Sequence, residues 1–63
     1  MKHTFLLNID FSNEDQYNYA MNVVNELKNR CCIKINKDNI QVGVSRLTNN
    51  LSKTLLCLGF KEV

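Results

Sequence analysis

Apolar residues change their spacing repeatedly along this chain, and each change narrows the folds open to it. Phe5, Leu7 and Ile9 fall at every second position, with Thr4, Leu6, Asn8 and Asp10 between them. That alternation is the pattern of a strand with one face buried. From Tyr17 the interval lengthens, and Tyr17, Ala20, Met21, Val24 and Leu27 recur at helical spacing as an expected buried stripe. Ser12, followed by Glu14 and Asp15, is expected to cap the start of this helix, and Lys28 and Arg30 to close it.

Period two then returns. Cys31, Ile33 and Ile35 are expected inward, with Cys32 and Lys34 outward. After the polar turn Asn36-Lys37-Asp38-Asn39 come Ile40, Val42 and Val44, with Gln41 and Gly43 on the other face. Two short alternating runs around a polar link read as a hairpin. A second helix is expected from Ser45 or Thr48, lined by Leu47, Leu51, Thr54, Leu55 and Leu58. Gly59 suits the residue just past a helix end, with Phe60 placed for the apolar contact of that cap. Phe60 to Val63 is either a last short strand or a frayed end.

Strand, helix, strand, strand, helix and strand make an α+β fold, specifically the ferredoxin-like (split βαβ) sandwich. Both helices should cover one face of an antiparallel sheet in spatial order 4-1-3-2. The 63 residues are expected to form a single interaction domain, 1–63, with no linker. A chain this short buries only about 60% of its unfolded surface, which leaves little core from which to wall a dry catalytic cleft.

Composition removes several function classes. No apolar run approaches the roughly 18 residues that span a bilayer, and the first ten residues turn polar too early for a secretory segment. Cys31, Cys32 and Cys57 are an odd set, which points to reduced thiols and a cytoplasmic setting. A net charge of +2 does not by itself argue for nucleic acid. Ten asparagines suggest a genome rich in A and T, as in some bacteria and phages.

The size, the element order and the run Leu58-Gly59-Phe60-Lys61 resemble the heavy-metal-associated domains. That resemblance implies the same fold and, in the family, a soft-metal site on a Cys-x-x-Cys motif between the first strand and first helix. Here the corresponding loop, Asp10-Phe11-Ser12-Asn13-Glu14, has no thiol, so no metal residue carries over. Neighbouring Cys31 and Cys32 on a strand would point to opposite faces, which suits no shared ion. His3 has no partner at catalytic spacing, and Gly43 and Gly59 are too far apart for a phosphate loop. We expect no enzyme, no catalytic residues, no metal and no cofactor.

What remains is surface. Leu6, Asn8, Asp10, Cys32, Lys34, Asn39 and Gln41 would lie on the open sheet face, without the aromatics that RNA-binding domains of this topology use for stacking. The topology sends Asp10, Glu14, Asp15 and Asp38, with Lys37, to one end. Lys2, Lys28, Arg30 and Arg46 go to the other, with Lys61 close by. Lys28, Arg30 and Arg46 are the candidate contacts for an anion or an acidic partner. Tyr19, Val23 and Leu56 fall outside the expected core stripes and are the candidate protein-interface residues. The leading expectation is a small regulator or inhibitor, bacterial or phage-encoded, that docks on a protein partner or pairs as a homodimer. The alternatives are a nucleic-acid-associated regulator using its basic end and a degenerate heavy-metal-associated-type domain; no membrane partner is expected.

Overall fold

A computed structural model describes residues 3–63 of the chain. The first strand, β1, spans His3–Asn8, and helix α1 follows over Glu14–Leu27. Strands β2 (Cys32–Ile35) and β3 (Asn39–Val44) form the hairpin, α2 covers Asn49–Leu58, and β4 is the two-residue strand Lys61–Glu62. The sheet order is β2-β3-β1-β4 with every pairing antiparallel, which is the 4-1-3-2 arrangement that the spacing predicts. Residues after Phe60 do pair: besides Lys61 and Glu62, the Val63 N–H donates to the Thr4 carbonyl at 2.8 Å.

Register explains why one face of the sheet is apolar. Phe5 lies opposite Val42 and Leu7 opposite Ile40, so their side chains leave the same face. Ala20, Val23 and Leu27 from α1 and Leu51 and Leu55 from α2 join Phe5, Ile40, Val42 and Phe60 in a single buried cluster, with the partly buried Leu7 packed against it. Both helices therefore cover that face. Among the described residues no polar or charged side chain is buried, so apolar contact holds this core together.

Several local expectations need correction. The cap of α1 is Asn13, whose side chain accepts from the Gln16 N–H, while Ser12 turns back to the Asp10 carboxylate through its N–H and hydroxyl. Val23, expected on the helix flank, is only 1% exposed, and Tyr17, expected inside, is 47% exposed. The buried line runs through Ala20, Val23 and Leu27, so α1 is rotated by a fraction of one residue's turn from the expected stripe.

Cys31 precedes β2 and is partly buried, whereas Ile35 is 52% exposed because β2 is the edge strand and its far end lies beyond helix cover. Thr48, not Ser45, caps α2 by accepting from the Leu51 N–H. Gly59 ends α2 with φ 104, and the Phe60 N–H returns to the Leu55 carbonyl while the Phe60 ring is buried.

Candidate functional site

Strand polarity sorts the charges along the molecule. β1 ends where β3 begins, and the Ile9 N–H donates to the Asp38 carbonyl at 3.0 Å there. The Gln16 side chain accepts from the Asp10 N–H at 2.8 Å, so Asp10, Asp38 and the acidic first turn of α1 share that end. Ser12 donates to the Asp10 carboxylate from its hydroxyl at 2.6 Å and its N–H at 3.1 Å, and these bonds hold the Asp10 pKa below its ordinary value.

At the opposite end the loop after α1 meets the loop after β3. They enclose an open notch of about 350 Å³ whose rim carries Lys28, Arg30 and Arg46, the three cations singled out from the sequence. Cys31, Cys32 and Gly43 contribute to its wall, and no carboxylate does. Among the described residues the one contact of a basic side chain with a carboxylate is His3 Nδ1 with Glu62, at 3.1 Å across β1 and β4, so none of the three cations has an acidic partner. Lys2, expected at this end, lies outside the described residues. Lys61 does not join the notch: it sits on the edge strand β4, opposite Leu6 partway along β1.

Helix dipoles explain part of this placement. Lys28 is the C-cap of α1 and Arg30 follows it, where the negative end of the dipole favours cations. Arg46 comes just before Thr48, the N-cap of α2, where a cation is disfavoured. The stability of α2 therefore gives no reason for the third charge. Burial raises the Cys31 thiol pKa, with the Arg30 charge opposing that shift and Cys32 adding to it. Cys32 is exposed at the same notch, and all three thiols are free.

The remaining candidates separate. Val23 belongs to the core and is removed from any surface. Leu56 is 57% exposed, and Tyr19 stays partly exposed while its hydroxyl donates to the Leu58 carbonyl at 2.6 Å. On the helix-free face Lys34, Gln41, Leu6 and Lys61 form one row across the four strands. Among the described residues no three potential metal ligands cluster, and no helix is long and apolar enough to cross a membrane.

Sequence reasoning did not foresee the share of Gly43 and of both cysteines in the notch. The hairpin register held the available signal, because it sets Gly43 opposite Cys32. Nor did it anticipate the His3–Glu62 pair, which joins residues 59 positions apart through the pairing of β4. No family model, curated protein or solved structure matches the chain.

Proposed function

We propose that this protein is a small, non-catalytic docking module, a regulator or inhibitor working in a reducing compartment, whose basic end engages an acidic surface on a protein partner. The observation that carries this reading is Arg46. It stands at the unfavourable end of α2, beside Lys28 and Arg30, on a notch without a carboxylate. A cluster of unneutralised cations at one place supplies steering and specificity toward an acidic patch.

A protein surface suits the molecule better than a nucleic-acid backbone. The basic end is short, and acidic residues occupy the opposite end of a molecule about 32 Å long. Nucleic-acid affinity grows with the number of phosphates that Lys and Arg neutralise, and three cations on one short rim neutralise few. The open sheet face also offers no aromatic side chain for stacking. Leu56 and the exposed part of Tyr19 lie toward the other end, where α1 begins and α2 finishes, and are not part of this contact.

The test is titration of the isotope-labelled chain with polyglutamate, and separately with duplex DNA, followed by amide chemical shifts. Shifts at Arg30, Cys32, Ser45 and Arg46, with affinity weakened about tenfold or more by Arg46→Glu, support the reading. Binding to DNA alone, with a steep salt dependence, moves the function to nucleic acid. No response to either polymer removes the basic end from the function.

A further inference from the structure

We infer that β2 accepts an extended segment of the partner as a fifth strand, antiparallel to β2, whose acidic C-terminal end enters the Lys28–Arg30–Arg46 notch. This rests on the docking function proposed above and specifies how the partner is held.

Three backbone bonds fix which groups of β2 are free. The Asn36 N–H donates to the Asn39 carbonyl, and in an antiparallel ladder bonded pairs alternate, so Lys34 and Cys32 also turn their backbone groups toward β3. The Val63-to-Thr4 and Ile9-to-Asp38 bonds give the same parity from the other side of the sheet. Ile33 and Ile35 therefore direct their N–H and C=O groups away from the sheet, along an edge with no neighbouring strand among the described residues. Such an edge is a template for strand addition.

Side-chain chemistry then selects the occupant. Residues of the added strand opposite Ile33 and Ile35 would lie on the helix-bearing face, where Ile35 is left half open. Residues facing the other way would lie beside Lys34 and Cys32 on the open face. The fitting segment alternates apolar and acidic residues. An antiparallel direction carries its C-terminal end past Cys32 to the notch, which Cys32 also lines.

A second copy of this chain fits poorly. Antiparallel self-pairing through Ile33 and Ile35 would set Lys34 directly against the Lys34 of the other copy, and opposed like charges destabilise a strand pair. The same lysine attracts an acidic strand.

The experiment uses the full chain and a synthetic peptide of about eight residues, alternating valine and glutamate with a glutamate-rich C-terminal end. Hydrogen exchange at the Ile33 and Ile35 amides should slow by about tenfold or more when the peptide binds. Methylating the peptide nitrogens that would donate to β2 should weaken binding about tenfold while leaving its charge unchanged. Ile35→Pro should do the same while polyglutamate binding persists, because that N–H is not used by the ladder. Moving the glutamate-rich end to the peptide N-terminus should weaken binding as well. Peptide binding that leaves both amides unprotected, or that tolerates N-methylation, overturns strand addition. So does failure of the peptide to bind a chain that still binds polyglutamate. If polyglutamate also fails, the docking function falls, and this inference with it.

Discussion

The Tyr19 hydroxyl donates to the carbonyl of Leu58 at 2.6 Å and so joins the middle of α1 to the last residue of α2. Carbonyls at a helix end lack intrahelical donors. Here Gly59 and Phe60 donate to those of Leu55 and Leu56, and Tyr19 serves that of Leu58. Tyr19→Phe keeps the ring and removes the donor, so we expect a loss of about 0.5–1.5 kcal/mol. Urea unfolding should show a lower midpoint with an unchanged slope.

Helix packing can be tested through two apolar residues with opposite fates, one on α1 and one on α2. Val23 is buried and Leu56 is exposed. Stability of about 0.05–0.15 kcal/mol per residue gives a chain of this length only a few kcal/mol in total. Val23→Asp buries an unpaired carboxylate and should leave the protein unfolded at neutral pH. Leu56→Asp should fold with a stability change within about 0.5 kcal/mol. Circular dichroism of the two variants is sufficient, and a folded Val23→Asp protein would contradict the packing of α1.

The error over Val23 shows what the sequence could convey. Val23 and Val24 are adjacent, and either completes a helical stripe with Ala20 and Leu27. Tyr17 tilted the choice, since its ring looks like core material, yet an amphipathic tyrosine is at home on a surface. By contrast, the end of α2 was legible, because a glycine followed by an aromatic residue encodes a C-cap almost by itself. The cations were legible too, once strand polarity placed them at one end. The notch itself was not, for its wall depends on Gly43 lying opposite Cys32 and on how two loops meet.

Gly59 has φ 104, a conformation that an L-residue adopts only under strain. A Cβ added there would also stand 3.2 Å from the Leu7 Cδ1 atom. The backbone conformation alone should make Gly59→Ala cost about 1–2 kcal/mol, with the Leu7 side chain shifting to admit the methyl. Its signature is a lower thermal midpoint together with perturbed methyl resonances of Leu7. An unchanged midpoint would show that α2 can end differently.

Asp10 supplies a prediction in pH. Its folded pKa is depressed by the Ser12 hydroxyl and N–H, so the unfolded chain takes up this proton first as pH falls. The contribution is complete above the unfolded carboxylate range, about pH 4 and higher, and is lost as pH drops through the lower folded value. Ser12→Ala removes the hydroxyl bond, the larger cause, and should move the Asp10 pKa back toward its ordinary value. An NMR titration of the Asp10 carboxyl carbon in both proteins reads this directly.

The thiols should separate by reactivity. Cys32 and Cys57 are exposed, while Cys31 is partly buried and its pKa is raised by desolvation. Alkylation proceeds through the thiolate, so both access and ionisation slow Cys31. With iodoacetamide near pH 8, peptide mapping should show Cys32 and Cys57 modified about tenfold faster than Cys31. An acidic ligand in the notch adds a second, selective effect. Polyglutamate should protect Cys32, which lines the notch, and leave Cys57, on α2, unaffected. Equal protection of both cysteines would show that the polymer coats the chain generally, whereas protection of Cys32 alone locates the contact at Lys28, Arg30 and Arg46.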